Sequence, residues 1–311
     1  MTVPLSRRAL LALPSATLLR AASPLFTFRE SFWLNLHHFL YVLGRLRNKD
    51  SQYARSPAIA DTADLSDKQQ ASWETAVTAY STSISKEDLV FDRDLARFTK
   101  ALSETADNVT PGTDTSAGNA LRSAGPIYRE IWWPRHSAAN RHRIRELQDL
   151  IAKYGDSVAS EVTRAYEMNW PPDGFQIQMS GYANWSGSYS TDDGLIVLSS
   201  TEPGLAGTQS LEIAFHEAVH QWDDQVQARL SAAARKLQVP VPRQLSHSLI
   251  FYTTGYATAK IVPGHVPYAE ANGLWNNRGL IGKNKLDQYW KPHLEGKKDF
   301  DSAATELLQA L

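Results

Sequence analysis

The chain has 311 residues, 42% of them hydrophobic and 21% charged, enough apolar material for one large core or two modest ones. Its formal net charge is −1 and no Lys/Arg block is dense enough to follow a phosphate backbone, which excludes a nucleic-acid partner. Cysteine is absent, which excludes disulfide frameworks, thiolate metal sites, cysteine nucleophiles and an acylated lipoprotein anchor. Any metal must sit on His, Asp or Glu.

Residues 1–23 read as a bacterial export signal: Arg7 and Arg8, then the apolar run Ala9 to Leu19, then the small residues Ala21, Ala22 and Ser23 before Pro24. Ser6-Arg7-Arg8-Ala9-Leu10-Leu11 fits the twin-arginine type as well as an ordinary secretory signal. The expected location is therefore periplasmic or extracellular. Nothing after the signal is apolar for long enough to span a bilayer.

Residues 24–118 read as a helical N-terminal region. Phe26 to Arg47 carries aromatics and leucines on one broad face, with His37 and His38 within it, and predicts one buried helix. A histidine in such a helix is a hydrogen-bonded core residue or, less commonly, a metal ligand. Helices are predicted from Leu65 to about Ser83, opening on Ser66-Asp67, and from Lys86 to about Asp107. Asn108 to Gly118 reads as an exposed loop and the boundary of the region.

Residues 119–311 read as the catalytic region. Trp132-Trp133-Pro134-Arg135-His136 is either core or a substrate wall, and a long helix follows from about Ser137 to Met168, broken near Gly155. After Pro171-Pro172 the period changes to that of strands: Phe175 to Met179, Ala183 to Tyr189 and Leu195 to Leu198, with Asp192-Asp193-Gly194 as a hairpin turn. One helix is predicted from Gly207-Thr208 to about Leu237, with Glu212 in its first turn, and another from about Arg243 to Lys260. A last one covers Ser302 to Leu311.

Within the first of these, Phe215-His216-Glu217-Ala218-Val219-His220 contains His-Glu-x-x-His, which puts two imidazoles one helical turn apart on one face, close enough to share a Zn²⁺. Glu217 points about 100° around the axis, beside the metal, where a general base for its water belongs. Catalytic zinc takes three protein ligands, and Glu212 and Asp224 lie too far along the axis to share one ion with the pair. His247 on the next helix can close the triangle; His265, Glu270 and His293 are the alternatives. Asp223 and Asp224 could orient His220 through its second ring nitrogen or be solvated helix carboxylates.

This arrangement resembles the zincin superfamily of zinc metallopeptidases over about Phe175 to Lys260. The resemblance implies an α+β, mostly α-helical fold with a small twisted sheet above the His-Glu-x-x-His helix, and an edge strand, here Ser188 to Ser199, that binds extended peptide. It implies Zn²⁺ on His216, His220 and His247, Glu217 as general base, and a tyrosine, Tyr252 before Tyr256, steadying the oxyanion, unless that pair is core. The sequence has neither the metzincin Gly and His after His220 nor the downstream Glu of gluzincins; it is gluzincin-like in having its third ligand on a later helix. The expected function is hydrolysis of a peptide or protein substrate. A non-catalytic metal-binding envelope protein on the same frame, or a zinc hydrolase of a non-peptide amide or ester, fits the same residues.

Overall fold

The first described segment is a strand, not the start of a helix. The computed structural model describes residues 24–112, 115–277 and 279–311; the expected export signal lies outside the described residues. Phe26–Arg29 (β1) pairs in parallel with Phe175–Ser180 (β2), Phe26 opposite Phe175. Only then does Ser31 cap the helix Phe32–Arg47 (α1), its hydroxyl accepting from Leu34 N. The alternation Phe-Thr-Phe-Arg suits a strand as well as a helix, and distant pairing decides between them.

The fold is α+β and mostly helical, with a four-stranded mixed sheet in the order β1-β2-β4-β3. Ile196–Ser199 (β4) runs parallel to β2, and Ser188–Ser190 (β3) is antiparallel to β4 at the edge. The turn between them has Gly194 at φ 86°, where only glycine is unstrained. The edge strand expected over Ser188 to Ser199 is thus β3 alone. The strand expected from Ala183 is a loop until Ser188.

Two apolar cores lie on opposite faces of this sheet. Leu195 and Val197 belong to one, Ile196 and Leu198 to the other, so β4 is buried on both sides, as a continuous apolar run in a parallel pair implies. The first core is built by α1, Asp67–Thr82 (α2), Arg93–Glu104 (α3) and Ser116–Ile131 (α4). The helix expected from Lys86 begins only at Arg93, because Asp88 and Asp92 accept from the backbone N–H groups of Val90 and Leu95 and form a turn and a cap. The loop expected to Gly118 ends at Thr115, which caps α4. Trp132 stacks on Trp73 at 4.3 Å and is core, not substrate wall.

The second core gathers Trp133–Leu150 (α5), Asp156–Tyr166 (α6), Thr208–Val219 (α7), Asp223–Leu237 (α8), Leu245–Ile261 (α9) and Phe300–Gln309 (α10). The break expected near Gly155 is a single π turn, Ile151–Gly155, between α5 and α6.

His37 and His38 are not near α7's histidines; they lie buried in α1. His37 bonds Tyr80 and Thr99, and His38 bonds Ser180 of β2 and Tyr189 of β3 at 2.9 and 2.7 Å. Asn35 joins them, donating to Met179 O and accepting from Gly181 N. These bonds clamp the helical layer onto the sheet. No helix among the described residues is long and apolar enough to cross a membrane.

Candidate metal centre

The helix expected to run unbroken from Thr208 to Leu237 changes at its second motif histidine: α7 ends at Val219, and His220–Trp222 forms a 3-10 turn before α8. Trp222 packs into the core against Trp170 and Phe175. The tightened turn brings Asp223, three residues on, to 2.7 Å from His220 Nδ1. Neither glycine nor proline marks this break, so residue pattern alone did not reveal it.

His247, on α9, closes the triangle. The three ring centroids stand 4.9, 5.3 and 5.2 Å apart, and one ligand atom from each of His216, His220 and His247 lies within 4.8 Å of the others. Phe251, one turn after His247, packs its ring 4.1 Å from that of His216 and 4.7 Å from that of His247, making an apolar floor.

The donor set fits zinc. His220 Nδ1–H donates to Asp223, which leaves the Nε2 lone pair aimed at the centre. That Nε2 faces the Nε2 of His216 at 3.1 Å. Two nitrogens roughly 2.0–2.1 Å from one tetrahedral ion would stand about 3.4 Å apart, so little movement is needed. Burial, with His220 and His247 adding to it, keeps His216 well below the usual histidine pKa and hence neutral, the form a ligand must have.

Asp223 does more than orient His220. Its other oxygen accepts from Ser246 Oγ at 3.0 Å, next to His247, so one carboxylate ties the two ligand-bearing helices together. Asp224 has no such bond among the described residues.

Glu217 is buried and turned toward the edge strand, where Ser190 Oγ donates to its Oε2 at 2.9 Å. Burial raises its carboxyl above the usual range, against His220 and the hydroxyls of Ser188 and Ser190, which lower it. A base nearer neutrality accepts a proton more readily at physiological pH. The serines escaped the sequence reading, although the alternation Ser188-Tyr189-Ser190 places both hydroxyls on one face of a strand and Tyr189 on the other.

The other candidates go elsewhere. Tyr252 lies about 140° around α9 from His247, and its hydroxyl donates to Asp287 at 2.5 Å; burial and that carboxylate hold it above the usual tyrosine range. The described contacts therefore give it no place beside the triad. His293 bonds the carbonyls of Lys298 and Ala165, and Glu270 pairs with Lys283. Glu212 is not in the first turn of its helix facing the dipole. It sits one turn before His216 with its side chain fully buried, 2.6 Å from His265 Nε2, and accepts from Tyr268 N at 2.8 Å.

That clasp matters for the site's shape. It holds residues 265–268 against α7, and Tyr268 then lies parallel to Phe251, centroids 6.2 Å apart at an interplanar angle of 7°. Tyr268 thus reaches Phe251, the apolar floor of the centre, and nothing in the spacing of the sequence marks it. No protein-family model, curated protein or solved structure matches the chain, so its functional reading rests on this geometry.

Proposed function

We propose that this protein is an exported zinc-dependent hydrolase, a metallopeptidase of the zincin type, with Zn²⁺ on His216, His220 and His247. The observation that carries the reading is the convergence of three imidazoles beside a buried glutamate that is itself held by the edge strand of a sheet. A zinc ion on three histidines lowers the pKa of water and polarises a carbonyl.

The chain's own residues supply the rest. Glu217 takes the proton of the attacking water and passes it to the leaving amine. Ser190 and Ser188 keep its carboxylate turned toward the strand. Asp223 fixes the tautomer of His220 and the approach of the helix that bears His247.

A peptide is the favoured substrate because of how β3 is paired. Gly187 O and Thr191 N bond toward β4, so the backbone groups of Ser188 and Ser190 point to the opposite side, the outer edge of the sheet beside Glu217, where Ser188 O accepts from Ser186 Oγ. A strand edge with its serine side chains on the base is a place for an extended backbone to pair.

Metal content by mass spectrometry tests the centre: about one zinc per chain is expected, lost in His216→Ala and His247→Ala. Glu217→Gln should keep the zinc while hydrolysis of a mixed peptide pool falls by about two to four powers of ten. Full activity in that variant would remove Glu217 from the mechanism; a wild-type chain that takes up no zinc would remove the centre itself.

A further inference from the structure

The hydroxyls that hold Glu217 stand on the shortest strand of the sheet. β3 has three residues and lies at the edge, with β4 on one side only. Its side chains alternate: Ser188 and Ser190 face Glu217, and Tyr189 enters the core built by the N-terminal helices. A slip of one residue along β4 would turn both serines away from Glu217 and put Tyr189 on their side. Three residues of one-sided pairing guard weakly against such a slip.

A second restraint lies on the far face of the sheet. The Tyr189 side chain is buried, and its hydroxyl meets His38 Nε2 at 2.7 Å, while Nδ1 of the same imidazole meets Ser180 Oγ of β2 at 2.9 Å. β4 runs between β2 and β3, so the imidazole bridges the two strands that flank it; at this level Val197 of β4 pairs with Gln178 on one side and Tyr189 on the other. Burial, with His37 beside it, keeps His38 well below the usual histidine range. The neutral ring therefore has one N–H and one lone pair, one for each strand. A slipped β3 would break this bond and strand a buried phenol and a buried ring nitrogen without partners, which opposes the slip.

We infer that His38 is a positioning residue for Glu217, acting through Tyr189: it fixes the face and register of β3, and the serines of β3 then aim the carboxylate. Through it the N-terminal helical layer takes part in a site that otherwise belongs to the later part of the chain. That Glu217 is a base rests on the metallopeptidase reading; the brace behind β3 does not.

The test reads the carboxyl of Glu217 directly, by carbon-13 NMR of zinc-loaded protein labelled at the glutamate δ carbon, with Glu217→Gln identifying the resonance by its loss. Tyr189→Phe removes one buried oxygen and keeps the ring. It should move the resonance, and in a Ser188→Ala/Ser190→Ala background it should add nothing, because it acts through those hydroxyls. His38→Leu should reproduce the movement, and His38→Gln, whose amide reaches toward Tyr189, should return the resonance toward its wild-type position. Zinc content should be unchanged in Tyr189→Phe, while kcat on a peptide falls about ten- to a hundredfold with KM little altered, the mark of a misaimed base rather than of lost binding.

A resonance unmoved by Tyr189→Phe, or a movement that persists undiminished without the two serines, overturns the inference. The expected movements with no hydrolysis by the wild-type protein keep the brace and sink the peptidase. Hydrolysis by the wild type, with resonance and kcat both untouched in Tyr189→Phe, sinks the brace alone.

Discussion

Asp223 accepts two hydrogen bonds whose loss acts on different ligands: one holds the ring of His220, the other the helix end beside His247. Removing such a partner leaves the ligands in place but less well aimed, and typically weakens metal binding about 10- to 100-fold. Asp223→Ala should show a loss of that size in competition with a chromophoric chelator; an unchanged zinc affinity would mean that the rings are held by packing alone. Far from the centre, Asp61 is the sharpest acid sensor. Burial would raise its carboxyl, but hydrogen bonds from His136, Tyr182 and Arg135 outweigh burial and hold the pKa down at about 2. A depressed carboxylate contributes stability above the ordinary aspartate pKa and loses it as the pH falls toward its own, here between about pH 4 and pH 2. The contribution is on the order of 2 kcal/mol. Acid unfolding followed by circular dichroism should therefore have a flatter limb below pH 4 in Asp61→Asn than in the wild type.

At the scale of elements, the parts legible in the sequence are those whose signals are local. Ser66 and Gln69 form a reciprocal capping box at the head of α2, and the motif spacing on α7 needs only helical geometry, whereas His247 stands beside His265, Glu270 and His293 as a candidate until the packing of α9 on α7 brings it to the pair. What was missed depends on distant partners. β1 looked helical because its aromatics suit both periods, and only pairing with β2 settles it. The turn at His220 is set by Trp222 entering the core and by Asp223 reaching back, and no breaker residue announces it. Tyr252, expected before Tyr256 from its place past His247 on α9, is drawn to Asp287, whereas Tyr268 reaches Phe251 through the buried Glu212–His265 clasp, which joins residues far apart in sequence. The start of β3 offers a test of this kind. Gly187 has φ 84° and is overlain by Glu202, so Gly187→Ala meets both a disfavoured backbone and a clash. It should cost about 1–2 kcal/mol from the backbone alone and more from displacing Glu202, measured by urea denaturation. A neutral substitution would show that the loop entering β3 can be rebuilt freely.

For the molecule as a whole, the sheet is a shared wall, with one core on each face and α7 carrying the motif on the second. A ligand that binds only the folded state adds its binding energy to the fold: about 4 kcal/mol when free metal is a thousandfold above Kd. For a chain of this size that is on the order of 10 °C in Tm. Calorimetry before and after chelation, and again after zinc is restored, should show a drop of that order and its recovery; a Tm indifferent to chelator would mean that the histidines hold no ion tightly. The parallel pairing of β1 with β2 also bears on how the chain is made. Phe26 meets Phe175 across about 150 residues of intervening chain, so this contact pays a large loop-closure entropy and belongs among the late events of folding. During synthesis from the N-terminus, α1 to α4 are complete while β1 has no strand to pair with. Its aromatic edge then stays open until β2 emerges, which makes that interval the one in which the nascent protein is most exposed to aggregation and has most to gain from a chaperone.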